Sequence, residues 1–229
     1  DLNTTRTPFS GGSGTLPAGK APVEAALRLG ISSSVVGLVI GLWFLSRIGP
    51  AFIPFLLFGA VFVTGYTDAL ARMGIGEVAA GLGLGGLAVS GVAIVQDGML
   101  GEVALAASVP AFLMTFNLLL LNEYPDEEAD REGGRKNLVI LMGRRGSARV
   151  YSLAALLVPL WIVGAVFFGP FPVWALAGAL PSILLVKPLS WALGDTTAHV
   201  PIPALGANVT WNLATNTLLG IGLFVASLM

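Results

Sequence analysis

The chain has 229 residues, of which 55% are hydrophobic and only 11% are charged, with a mean hydropathy of +0.84. An ordinary soluble domain is about 25% charged, so this composition excludes intrinsic disorder and leaves an integral membrane protein rather than a water-soluble globule. A net charge of -1 argues against nucleic-acid binding, the absence of cysteine excludes disulfides and thiolate chemistry, and one histidine excludes a multi-histidine metal site.

In chain order, residues 1–24 read as a polar Gly/Ser/Pro-rich loop without a signal-peptide core. Seven apolar stretches then follow, at about 25–46, 50–66, 77–96, 103–122, 148–168, 172–189 and 205–228, each compared with the roughly 20 residues that cross a bilayer. The fold expected is all-α and integral to the membrane, a bundle of about seven transmembrane helices forming a single membrane domain over 1–229. Seven crossings place Arg6, Lys20, Arg28, Arg72, Arg131, Arg135, Lys136, Arg144, Arg145, Arg149 and Lys187 on one side and Arg47 alone on the other. That asymmetry assigns the first side to the cytoplasm. The run GLGLGG at 81–86 lies inside a span and reads as helix packing rather than a nucleotide loop. Asn208 and Asn212, one turn apart in the last span, read as interhelical hydrogen bonders, while Lys187 and Trp191 read as interfacial anchors.

The fourth span runs into NEYPDEEADREGGRKN at 122–137, expected to open a cytoplasmic catalytic loop over 123–147. Asn122, Asp126 and Asp130 are spaced four apart, which on a helix sets them on one face. Two carboxylates one turn apart repel unless a cation lies between them, and hard oxygen ligands suit Mg²⁺, which uses one or two carboxylates plus substrate phosphates. Arg131, Arg135 and Lys136 supply charge for phosphate. Beside an apolar bundle, this pattern fits a diphosphate carrying a long lipid tail; the alternative is a solvated charged loop.

The segment NEYPDEEADREGGRKNLVILMGRR at 122–145 resembles the second aspartate-rich motif of the UbiA superfamily of intramembrane prenyltransferases, N-x-x-x-D-x-x-x-D followed by a Gly/Lys/Arg turn. The opening DLNTTRTPFSGGSGTLPAG resembles the loop after the family's first such motif, and YTDALARMGIGE at 66–77 resembles the loop between its fourth and fifth helices, most like the menaquinone branch. The resemblance implies a nine-helix fold around a central cavity, of which this chain is the C-terminal part lacking two helices, and which alone is expected to be inactive. It implies Mg²⁺-dependent transfer of a polyprenyl group from its diphosphate to an aromatic acceptor, 1,4-dihydroxy-2-naphthoate above all. Other acceptors are 4-hydroxybenzoate, homogentisate, chlorophyllide or a glyceryl lipid. Asp126 and Asp130 would bind Mg²⁺ with Asn122, and Asp1 is a further candidate ligand. Arg135, Lys136, Arg72, Arg6 and Lys20 are candidate diphosphate contacts, Tyr66 would face the carbocation or acceptor, and Asp68 and Glu77 would orient the acceptor or pair within the lid. The implied partners are polyprenyl diphosphate, an aromatic acceptor and membrane lipid, with no nucleic acid, in a multi-pass cell-membrane protein.

Three other classes stand beside this one. A transporter is disfavoured because the acidic residues cluster at one membrane face. A lipid head-group phosphotransferase pattern placed on Ala71-Arg72 fails, with Asp at 68 where Gly is needed and Gly85 and Val89 where Asp is needed. An inactive scaffold stays open.

Overall fold

The computed structural model describes residues 13–229, apart from the side chain of Asp68. Turns at 15–21 lead into helix α1, Val23–Ile48, followed by α2, Pro50–Gly65, and α3, Gly76–Asp97. Then come α4, Glu102–Glu132, α5, Leu138–Phe168, α6, Val173–Ala192, and α7, Ile202–Ser227. Among the described residues there is no strand, so the fold is the all-helical membrane bundle expected.

Six of the seven helices are long and apolar enough to cross a membrane. The exception is α2, whose sixteen residues rise about 24 Å against roughly 30 Å of hydrocarbon. Its backbone does not stop at Gly65: it widens into a π-helical turn over Tyr66–Leu70 and ends in a short helix, Ala71–Met73. Such π turns are local insertions common near functional sites. The segment 123–147, expected as a loop, is largely helical. Helix α4 runs through Pro125 to Glu132, a turn occupies 133–137, and α5 begins at Leu138.

Two regions differ in packing. Met114, Leu120, Leu121, Tyr124, Val158, Ile162 and Trp211 belong to one buried core that α4–α7 enclose. Asn117, Tyr151 and Asn208 cross it as a polar bridge: the Asn117 amide donates to the Tyr151 carbonyl at 3.1 Å, and the Tyr151 hydroxyl donates to Asn208 Oδ1 at 2.8 Å. Asn208 is thus an interhelical bonder as expected, whereas Asn212 accepts from Asn216 one turn along its own helix. Trp191 is also not an interfacial anchor; it is buried, edge-on to Tyr124 at 4.7 Å.

Helix α3 packs on α4 through its glycines, as GLGLGG suggested. A methyl at Gly85 would overlap the Ala111 carbonyl, and one at Gly81 would lie 2.9 Å from the Phe112 ring. By contrast, α1 buries none of its residues.

Candidate functional site

The site is assembled at the end of the bundle where α4 emerges and α5 begins. Because α4 continues past residue 122, Asn122, Asp126 and Asp130 do lie on one helix at successive turns. Asn122 is half-buried and Asp130 is buried. The turn closing α4 is built on Gly134, whose φ of +75° is left-handed, and it folds the Arg135 N–H back onto the Asp130 carbonyl at 2.9 Å.

That closure returns two side chains to Asp130. Arg135 Nη1 donates to Oδ1 at 3.2 Å and Asn137 Nδ2 donates to Oδ2 at 2.9 Å. Asn137 also caps α5, accepting the Ile140 N–H at 2.9 Å. Asp130 is therefore held in place by the element that follows it.

The 66–77 segment is docked against this turn. The Lys136 N–H donates to the Ala71 carbonyl at 2.9 Å. Gly74, at φ +82°, approaches so closely that a methyl there would stand 2.5 Å from Leu141 Cδ1 and 3.0 Å from the Lys136 carbonyl. Glu77 is buried, accepts the Leu138 N–H through Oε1, and its carboxyl lies within hydrogen-bond reach of that of Glu123. Glu77 thus joins the start of α3 to the start of α5, beside Glu123 of α4.

Tyr66 and Asn122 stand at the mouth of an elongated apolar cavity of about 850 Å³ between α1, α2, α3 and α4. Phe55, Phe62, Leu87 and Leu119 are among its walls, and Phe44, Phe52 and Gln96 lie toward its far end. On the other flank Arg144 locks the loop before α7: it pairs with Glu127 at 2.9 Å, donates to the Thr196 carbonyl at 2.7 Å and covers the Tyr124 ring at 5.4 Å.

Of the residues singled out from sequence, the structure brings together Asn122, Asp126, Asp130, Arg135, Lys136, Tyr66 and Glu77. Arg72 and Lys136 are exposed at this end. Lys20 is exposed in the turns before α1 and enters none of the site's ion pairs among the described residues. Asp1, Arg6 and the Asp68 side chain lie outside the described residues. Sequence reasoning missed Glu123, Asn137 and Arg144. Asn137 alone had a legible signal, an Asn immediately before the apolar run LVIL.

The donor set suits a hard cation as part of a shared site. Among the described residues no group of three or more Asp, Glu, His or Cys is arranged to hold a metal. Two carboxylates and an amide on one helix face match the protein's share of a Mg²⁺ site whose remaining ligands are phosphate oxygens and water.

The described residues thus set an acidic turn beside an apolar cavity in a helical membrane bundle. The model of the UbiA prenyltransferase family matches residues 12–201, and the chain belongs to that family. It is 26% identical over 215 residues to the 1,4-dihydroxy-2-naphthoate octaprenyltransferase of Bacillus subtilis, covering 89% of this chain and 66% of that protein. It is also 26% identical over 156 residues to the enzyme of the same name from Escherichia coli, covering 67% of this chain and 50% of that protein. The chain therefore spans between half and just under two thirds of the curated relatives it matches. No solved structure matches it at a significant level.

Proposed function

We propose that this protein transfers a polyprenyl group from an allylic polyprenyl diphosphate to an aromatic acceptor, 1,4-dihydroxy-2-naphthoate in menaquinone synthesis, with Mg²⁺ as cofactor. The observation that carries the proposal is the junction of two opposite environments: an Asn/Asp/Asp face on α4 opens directly onto an 850 Å³ apolar cavity through Asn122 and Tyr66. A molecule with a charged head and a long hydrocarbon tail satisfies both at once. The names of the two relatives supply the acceptor.

In this reading Asp126, Asp130 and Asn122 hold Mg²⁺ and the diphosphate. The metal, when bound, polarises the allylic C–O bond and neutralises charge on the leaving group. Arg135 and Asn137 keep Asp130 oriented, and Arg72 and Lys136 add positive charge at the cavity mouth. The C–O bond breaks with its electron pair departing on the diphosphate, the allylic carbocation is attacked by an electron-rich ring carbon, and a proton leaves the ring. Tyr66 faces the cation across the mouth. The apolar walls exclude water, which would otherwise capture the cation as an alcohol. With the basic residues concentrated at this end, the site opens toward the cytoplasm.

Membranes containing the protein, given one labelled prenyl diphosphate and a panel of acceptors, test this by chromatography of the products. Product with the dihydroxynaphthoate is expected. Product only with a glyceryl phosphate would overturn the aromatic acceptor.

A further inference from the structure

We infer that Arg144 is a positioning residue for the acidic site: it ties the loop at 193–201 to the end of α4, and through Glu127 it holds Asp126 and Asp130 where they can share a cation. The inference rests on the metal-binding part of the reading above and adds to it the loop before α7.

Helix α4 needs such a tie because of its sequence. Pro125 lies inside it and has no N–H to give the Leu121 carbonyl, so the acidic end at 126–132 is joined to the buried part of the helix by one backbone bond fewer. The aspartates stand beyond that weakened turn. Arg135 and Asn137 steady Asp130 from one side. Glu127, one residue after Asp126, is the handle on the other.

Arg144 reaches that handle from α5. The helix is interrupted at Gly143, with φ +71° and ψ 164°, a conformation almost confined to glycine, and Arg144 begins the part that restarts. Its three guanidinium nitrogens go to three partners. Nη1 donates to Glu127 Oε2 at 2.9 Å, Nε to the Thr196 carbonyl at 2.7 Å and Nη2 to the Ala198 carbonyl at 3.2 Å. The guanidinium covers the Tyr124 ring, while the Arg144 carbonyl accepts the Tyr124 hydroxyl at 2.9 Å. The Arg144 and Glu127 side chains are only 25% and 22% exposed, so the pair is better shielded than a surface salt bridge.

The loop is a firm anchor. Thr196 and Val200 are buried in it, and Asp195 Oδ1 accepts both the N–H and the hydroxyl of Thr197. Trp191 Nε1 donates to the same Ala198 carbonyl at 3.3 Å. The connection therefore runs in series, from the loop carbonyls to the guanidinium, to Glu127 and to the acidic end of α4. A lysine at 144 would keep the charge but not the planar fork that meets three partners at once.

The test uses Mn²⁺ in place of Mg²⁺, since both favour octahedral oxygen donors. Its binding is followed by electron paramagnetic resonance in the full-length protein with inorganic diphosphate. Arg144→Lys and Glu127→Gln should each raise the Mn²⁺ concentration for half-saturation about tenfold, the scale for losing a residue that orients metal ligands. Each cuts a different link of one series, so the double variant should bind no worse than the weaker single variant. Hydrogen exchange of the amides at 126–132 should quicken in all three. Tyr151→Phe, which breaks the bridge to Asn208 in the core, should lower the unfolding temperature and leave the half-saturation unaltered, which separates positioning from general stability. If the lysine variant fails to fold, Glu127→Gln reads the same link from its other end. Half-saturation unmoved in the folded single variants, or effects that multiply in the double variant, would overturn this inference alone. A wild-type protein that binds no Mn²⁺ in the presence of diphosphate would overturn the metal reading and this inference with it.

Discussion

Asp130 is held by two side chains of the turn that follows it, and these partners explain how a short acidic turn keeps a fixed geometry at a membrane surface. Arg135 and Asn137 each occupy one carboxylate oxygen, so the carboxylate is oriented before any substrate arrives. If Asp126 and Asp130 carry the metal, Asp126→Asn or Asp130→Asn should lower Mg²⁺-dependent product formation by about a hundredfold or more, the range for removing one group from an electrostatic cluster. Both variants should still be extracted as folded protein, and unchanged turnover would remove the residue concerned from the metal site. Asn137→Ala should act twice. It removes the α5 cap, costing about 1 kcal/mol measurable by thermal unfolding, and it frees one oxygen of Asp130, so kcat should fall even where folding is complete. The spacing of Asn122, Asp126 and Asp130 was legible without coordinates because one helix carries all three. The approach of Glu123 to Glu77 was not, since it depends on how α3 packs against α4 and no periodicity in either segment reports it.

At the scale of elements, close approach between helices depends on glycine at a few contacts. Gly85→Ala would force a methyl into the Ala111 carbonyl of α4, with no flexible side chain to yield, and should destabilise the protein by about 1–3 kcal/mol. Gly37→Ala on α1 meets open space and should be neutral or stabilising by up to about 1 kcal/mol. Thermal unfolding of the two variants in the same detergent compares them directly, and equal stabilities would contradict the packing described. Hydropathy located all seven helices, because an apolar run long enough to cross a bilayer is its own signal. It did not locate their ends. Residues 123–132 are polar and so read as loop, yet they extend α4 because a polar helix beyond the hydrocarbon costs nothing in burial and keeps the aspartates in register. Likewise α2 looked like a full span, but its apolar portion stops at Gly65, where the backbone widens into the π turn that presents Tyr66.

The whole molecule divides into a packed half and an open half. The core shared by α4–α7 gives the site a rigid base, whereas α1 and α2 wall a cavity that an isoprenoid tail would fill. Membership of the UbiA family, a central cavity and the acidic turn were all readable from sequence; the residues that line the cavity were not, because aromatic residues of α2 face glycines of α3 that lie about 20 to 36 residues further along the chain. The division predicts that tail binding stiffens the open half. A prenyl diphosphate supplied with Mg²⁺ should raise the unfolding temperature, inorganic diphosphate should raise it less, and chelation should abolish most of either shift. Equal shifts for both ligands would mean that the cavity contributes no binding.

The central claim is that this protein joins a prenyl chain to an aromatic ring through a Mg²⁺-dependent acidic site. It is tested most directly by incubating native membranes containing the protein with labelled octaprenyl diphosphate and 1,4-dihydroxy-2-naphthoate, and following the label into lipid product as Mg²⁺ is titrated. The account predicts a prenylated naphthalene product that rises with Mg²⁺ and is lost in the Asp126→Asn protein. Label released only as free prenyl alcohol, or a product indifferent to both Mg²⁺ and Asp126, would contradict it.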